Sequence, residues 1–326
     1  MGAQPASSTA AIQAASAAES SSSNGPGGSL GQSNAKRKTN AEYSELLAKL
    51  QDIPTLPMVA MRVTELINDP ASSSADIAKL LKKDQVLTAK ILRLANSSYY
   101  AIPGGCSDVQ RALAFLGFNT LAQLVLGLSV FSVFSDTENE SFSMLEFWRH
   151  ALGAAVCSEI LAKRVGGVRP EEAFTCGLLH DIGKLVLHEI DKDRLTSIMD
   201  ETSKRECSFF DVEREWDLPG HSYLGEVIAT KWGLPQVIRL AIRYHHFDVR
   251  NMDSILASAK PVIYIVRLAN ALCVKNKIGK SGDCSAGEIT SDMLAPLNLK
   301  PEDLVKVEEQ LKVDIERAGA FLNAYR

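Results

Sequence analysis

Basic charge is what this 326-residue chain most plainly lacks: 35 Lys and Arg stand against 39 Asp and Glu, a formal net charge of −4. A protein that neutralises many phosphates needs a clustered positive surface. The one short basic run, Lys36 to Lys38, reads as part of a solvated tail, so nucleic acid is not an expected partner. Cysteine is sparse as well. The six (Cys106, Cys157, Cys176, Cys207, Cys273 and Cys284) include no close pair at metal or redox spacing, which predicts reduced thiols in a cytoplasmic protein rather than a disulfide framework. The N-terminus has neither the charged start nor the apolar core of a secretory signal. The longest apolar run, Leu121 to Phe134, is shorter than the roughly 20 residues a bilayer requires and carries Gln123, Ser129 and Ser132. It is expected to be a buried core helix, with no membrane as partner. Sustained alternation of apolar and polar residues is also missing, which excludes a sheet-based fold.

What remains is a chain patterned for helices. Residues 1–40 are mostly Ala, Ser, Gly and Gln, too poor in large apolar side chains to offset the entropy of ordering, and are expected to be a disordered tail. From Tyr43 onward a 3.6-residue period dominates. Ile77, Leu80 and Leu81 make a stripe behind Ser74. Ser107 with Gln110 reads as a capping box, opening a helix that Gly117 ends. Pro170, Glu171 and Glu172 mark another start, because proline fits the first turn and acidic groups suit the positive end of the helix dipole. Trp232 to Pro235 separates a helix ending at Lys231 from one that runs to His245, and the Gly- and Ser-containing stretch 280–287 reads as a loop. The fold class expected is all-α.

Five of the six histidines (His150, His180, His221, His245 and His246) lie on or at the ends of these apolar helices. One histidine on an apolar face is more often a satisfied core residue than a ligand. Several imidazoles from separate helices, joined by the carboxylate of Asp181, are a set that can hold one or two divalent cations in a bundle interior. Such a cation activates water and clamps a phosphoryl oxygen. Lys184, four residues after His180 on the same face, would neutralise a phosphate.

The segment Gly177-Leu-Leu-His-Asp-Ile-Gly-Lys184 resembles the HD superfamily, named for its histidine–aspartate doublet. Ile53-Pro-Thr-Leu-Pro57, Asn68-Asp-Pro70, the stretch from Lys83 to Ser97, Ala112 to Gly117, and Trp232-Gly-Leu-Pro235 followed by His245-His246 are similar to the signature of HDOD domains within it. The resemblance implies a two-lobed helical fold over residues 43–275, with an N-terminal lobe of about 43–135 packed on an HD-type lobe of about 140–275. Residues 276–326 would supply a loop and helices packing on the HD-like lobe. It implies a bacterial regulatory module that acts by protein interaction without turnover. The alternatives are a metal-dependent phosphodiesterase of the cyclic di-GMP type and a nucleotide or metal sensor. Carried over by motif, His150, His180, Asp181, His221, His245 and His246 match ligands for iron, manganese or zinc, and Lys184 matches the phosphate-facing lysine. Two positions depart from the catalytic relatives. Asn270, in Leu268-Ala-Asn270, stands where the superfamily has its last aspartate, and Phe247-Asp-Val-Arg250 replaces the Gly-Tyr-Pro segment. An amide can still coordinate a cation but brings no charge.

Overall fold

In a computed structural model the described residues are 45–46, 48–134, 142–216 and 219–323, with side chains described as far as residue 319. The expected tail and Lys36 to Lys38 lie outside them. All described residues belong to one compact unit, Glu45–Arg326, and among them there is no strand. The elements are α1 (Met58–Asn68), α2 (Ser74–Leu81), α3 (Gln85–Ala95), α4 (Val109–Val133), α5 (Met144–Val165), α6 (Pro170–Leu179), α7 (Ile182–Ile190), α8 (Lys192–Arg205), α9 (Phe209–Glu215), α10 (His221–Lys231), α11 (Gln236–Tyr244), α12 (Lys260–Lys275), the short α13 (Ser291–Leu294) with a 3₁₀ turn after it, and α14 (Pro301–Asn323).

Two helix starts differ from the sequence reading by one residue. Ser73 caps α2 through a reciprocal box with Asp76. The α4 cap is Asp108, whose carboxylate accepts from the Arg111 amide, and Ser107 only braces that carboxylate. In both cases the residue just before the first helical amide has the better reach to the orphan N–H groups. Gly117 does break its helix: φ +78° there kinks α4. Beyond the kink, every residue from Leu121 to Phe131 is buried. By length and composition alone α4 would pass for a membrane span, but it forms the axis around which α1, α2 and α3 pack, and it also touches α6.

The second group of helices is organised around α5, which lies against α6, α12 and α14. The signature segments bind the two groups together. Lys231 Nζ donates to the carbonyls of Leu50, Gln51 and Ile53 at 3.0–3.2 Å, and the Trp232 indole donates to the Pro54 carbonyl at 3.1 Å. Tyr99 packs edge-on against Tyr100 and its hydroxyl bonds Glu159 of α5, which ties the end of α3 to the second group. Helix α14 lies on α5 and reaches α3 as well, with Ser98 Oγ bonded to the Arg317 carbonyl at 3.2 Å.

Candidate metal centre

The His180-Asp181 doublet occupies the turn between α6 and α7. His180 is the C-cap residue of α6, and its Nδ1 lies 2.7 Å from the Gly177 carbonyl one turn back. A carbonyl can only accept, so Nδ1 carries the hydrogen and Nε2 presents a lone pair to the interior. His245 repeats the device as the C-cap of α11, its Nδ1 donating to the Ile242 carbonyl at 2.8 Å. In each case an unpaired helix-end carbonyl fixes the tautomer and aims the ring. Asp181 stands at the N-cap position of α7 yet makes no capping bond, which leaves its carboxylate to the interior.

His221 opens α10, and Glu213 of α9 fixes it twice. One carboxylate oxygen accepts from the His221 amide at 2.7 Å and the other from Nδ1 at 2.7 Å. Glu213 therefore caps α10 and turns Nε2 inward at once. Gly183 brings α7 close enough for this: a Cβ there would lie 1.7 Å from the His221 carbonyl oxygen, so only glycine permits the approach.

The result is a cluster sharing one carboxylate. Asp181 Oδ1 lies 3.3 Å from His221 Nε2 and 3.5 Å from His245 Nε2, while Oδ2 lies 3.4 Å from His180 Nε2 and 3.9 Å from His150 Nε2. Ligand atoms of Asp181, His221, His245 and His246 fall within 4.8 Å of one another, as do those of His150, His180 and Asp181. His246 Nε2 is 3.1 Å from His221 Nε2, and its ring stacks on Phe210. Asn270, on α12, places Oδ1 3.0 Å from His150 Nε2. All of these side chains are buried apart from that of His246, which is half-buried.

Lys184 is fully buried too, with Nζ 2.9 Å from Asp181 Oδ2 and 2.6 Å from Asp283 Oδ2, above the Phe209 ring. Asp283 is itself fixed by the Phe209 amide at 2.9 Å. The lysine expected to face a phosphate is thus enclosed by two carboxylates.

Burial disfavours charge throughout this pocket, and the partners decide where charge survives. Burial works against the Asp181 carboxylate, yet His180 and Lys184 hold its pKa well below the usual value. Burial likewise opposes the Lys184 ammonium, but Asp181 and Asp283 raise its pKa. Burial and the neighbouring His180 lower His150 to about 4; burial, with His180 and His221 nearby, lowers His245 to about 4. His246 is driven well below the ordinary value by burial and its two histidine neighbours. Only His221 goes the other way: burial opposes its charge, but Glu213 and Asp181 raise it to about 9.

A divalent cation fits this donor set. His180 Nε2 and Asp181 Oδ1 are buried without a hydrogen-bond partner, and such atoms are costly unless a ligand or ion satisfies them. The outer bonds from Nδ1 to a carbonyl or carboxylate are those that orient metal-binding imidazoles.

The structure brings together every site residue read from the sequence: His150, His180, Asp181, Lys184, His221, His245, His246 and Asn270. Sequence reasoning missed Glu213 and Asp283. Glu213 sits in a charged heptamer with no motif, and Asp283 lies in a Gly- and Ser-containing loop 99 residues beyond Lys184. That loop is pinned by the Lys280 amide bonding the Glu146 carbonyl at 2.9 Å, and by Gly279 at φ +64°, where a Cβ would lie 2.2 Å from the His150 nitrogen.

The HDOD domain model matches residues 53–247. An uncharacterized protein of Treponema pallidum (strain Nichols) is 26% identical over 234 residues, 72% of this chain; the match spans 44% of that longer relative. A structure from Shewanella amazonensis SB2B, named for a candidate phosphohydrolase, superposes with TM-score 0.66 at 24% identity, covering 86% of this chain and 98% of the other. One from Marinobacter aquaeolei VT8, named for a candidate signal transduction protein, gives 0.68 at 21%, covering 88% and 65%. At these identities the neighbours establish the fold alone.

Proposed function

Since the chain belongs to the HDOD domain family, we propose that it is a cytoplasmic signal-transduction module whose histidine pocket holds one divalent cation, iron, manganese or zinc, and which acts on a signalling protein partner without turnover. The observation that carries this reading is the asymmetry around Asp181. At one oxygen His221, His245 and His246 supply three imidazoles, of which Glu213 and the Ile242 carbonyl orient the first two. At the other, His150 faces the neutral Asn270 amide where the catalytic relatives carry a carboxylate. Lys184, already compensated, is not free to take up charge developing on a phosphoryl group. When bound, a cation supplies Lewis acidity and fixes the rings against one another. The residues themselves hold the helix junctions α6–α7, α9–α10 and the α11 end in one arrangement, which is a means of giving the surface a defined state.

A second reading, a metal-dependent phosphohydrolase acting on a nucleotide, is favoured by one feature: the Asp181 carboxylate is shared by two donor groups, as a two-metal site requires. Metal analysis of purified full-length protein, beside His180→Ala and Asp181→Ala, separates the cases. About one ion per chain, lost in Asp181→Ala, with no hydrolysis of nucleotides, is the expected result. Two ions with turnover would establish the second reading. No metal in folded wild type after growth with iron, manganese and zinc would remove both.

A further inference from the structure

All six cysteines are free thiols; four are buried, Cys207 is half-buried and Cys284 is exposed. The two that solvent reaches are joined by no spacing in the sequence, yet the fold sets them side by side. Cys207 lies in the junction between α8 and α9, behind Glu206, whose φ of +50° ends α8. Cys284 follows Asp283 in the loop after α12. Two bonds lay these segments along one another: the Cys284 amide donates to the Cys207 carbonyl at 3.2 Å, and the Phe209 amide donates to Asp283 Oδ1 at 2.9 Å. Gly282, at φ +100°, lets the loop approach so closely, since a Cβ there would lie 2.9 Å from the Phe209 ring and 3.5 Å from Met199. Residues joined amide to carbonyl have Cα atoms roughly 5–6 Å apart, as in a ladder, and a disulfide spans ~4.4–6.8 Å. The Cys284 thiol also feels its neighbour: burial first, then Asp283 and Cys207, raises its pKa. Cys157 and Cys273 are neighbours too, Cys273 adding to the effect of burial in raising the Cys157 pKa, but both are enclosed within α5 and α12, where such thiols are inert.

We propose that Cys207 and Cys284 are a modification site, a thiol pair that exchange with a low-molecular-weight disulfide closes into a bond tying the 280–287 loop to the α8–α9 junction. The exposed Cys284 thiolate attacks one sulfur of the small disulfide; that S–S bond breaks, and the departing thiolate takes up the proton Cys284 released. Cys207, deprotonated in turn, attacks the Cys284 sulfur and expels the second small thiol, which takes the second proton. The protein is oxidised by two electrons and the small disulfide is reduced to two thiols. The raised pKa keeps Cys284 protonated at rest and makes its minority thiolate the stronger nucleophile. The bond closes next to Asp283, which holds Lys184, and next to Ser208, which with Asp283 lines the wall beside His246 and Asn270. It therefore fixes one edge of the histidine pocket. This goes beyond the signalling reading and requires no bound cation.

The test treats folded full-length protein, metal-loaded and chelator-treated, with oxidised glutathione, alkylates the remaining thiols, and locates the bonds by digestion and mass spectrometry. Wild type should lose two hydrogens and yield one cross-linked peptide pair, Cys207 with Cys284, while Cys157 and Cys273 are alkylated only after denaturation. Cys207→Ser should stop at a glutathione adduct on Cys284, and Cys284→Ser should give no cross-link. Limited proteolysis within residues 280–287 should slow several-fold in the oxidised wild type and recover on reduction, because cleavage follows the population of the opened loop. The proposal is overturned by a glutathione adduct that persists on Cys284 in wild type, by a cross-link involving any other cysteine, by no reaction of the folded protein, or by proteolysis of the loop that the bond leaves unchanged.

Discussion

The two sides of Asp181 are built from the same residue types and end up chemically unlike. On the Oδ1 side, His221 is locked by a carboxylate and His245 by a helix-end carbonyl, and their Nε2 atoms are 3.4 Å apart. Lone pairs do not approach so closely without something positive between or upon them. At present a proton on His221 serves, since Glu213 and Asp181 keep that ring cationic to about pH 9. On the Oδ2 side, His150 has a bond to the Asn270 oxygen and needs nothing more, and the anionic oxygen itself is taken by Lys184. On the first side Asp181 Oδ1 has no hydrogen-bond partner; on the second an amide and an ammonium already engage His150 and Oδ2, and His180 Nε2 is the one atom left without a partner. Identical imidazoles therefore differ through their outer bonds, which a list of ligands does not reveal.

The largest expected effect comes from breaking the satisfied side. Lys184→Met removes the ammonium, leaves Asp283 buried without a cationic partner and Asp181 with its histidines alone, a change that typically costs about 3–5 kcal/mol. Urea unfolding of metal-free protein should show that loss. Adding Asp283→Asn should recover part of it, because the second buried charge disappears with the first. Equal stability of Lys184→Met and wild type would mean that the two carboxylates are not charged together, contrary to the 2.6 Å and 2.9 Å contacts.

Much of this was legible in the sequence, and the boundary of what was not is instructive. The period of 3.6 gave the helices because each buries one face. The His180-Asp181 doublet and the His245-His246 pair could be placed because they fall at helix ends, where Leu178 and Ile242 mark the buried face. Sequence could not supply Glu213 or Asp283, since their importance lies in packing between segments remote in the chain: α9 against the start of α10, and a loop after α12 folded back on α7. The reading of Lys184 as phosphate-facing used its spacing from His180, and spacing gives a face without saying which carboxylates occupy it.

An intermediate effect should appear in the pH dependence of the metal-free protein. His150 and His245 have folded pKa values of about 4 against 6.5 when free. The unfolded chain therefore binds more protons between those values, and stability falls as pH drops from about 6.5 to 4, by roughly 2–4 kcal/mol. His221 is raised to about 9; its contribution is fully present below pH 6.5 and is lost as pH rises through 9. Urea unfolding from pH 4 to 9 should give a maximum near pH 6.5. His245→Asn should shallow the acid arm and spare the alkaline one. A bound cation displaces the His221 proton, so metal-loaded protein should show a flatter alkaline arm; an unchanged arm would place the ion away from His221.

The smallest expected effect is also the sharpest test of the asymmetry. Asn270→Asp changes one atom type at a position 3.0 Å from His150 Nε2 and gives the Oδ2 side the carboxylate it lacks. Charge at the site favours a hard cation over the neutral amide, and the replacement should raise affinity for a second ion by about tenfold, near 1.4 kcal/mol, read as metal content moving from about one toward two per chain. In the metal-free protein the new carboxylate lies close to Asp181 and should bind a proton or cost a little stability. If the second ion enters and nucleotide hydrolysis follows, the amide alone separates this chain from a catalyst. If the second ion enters without hydrolysis, the enclosure of Lys184 by Asp283 is the further barrier, and Asp283→Asn in the same background should reveal it. If occupancy stays at one, the His150 side is closed by its packing rather than by its charge, and the comparison between the two sides of Asp181 rests on geometry alone.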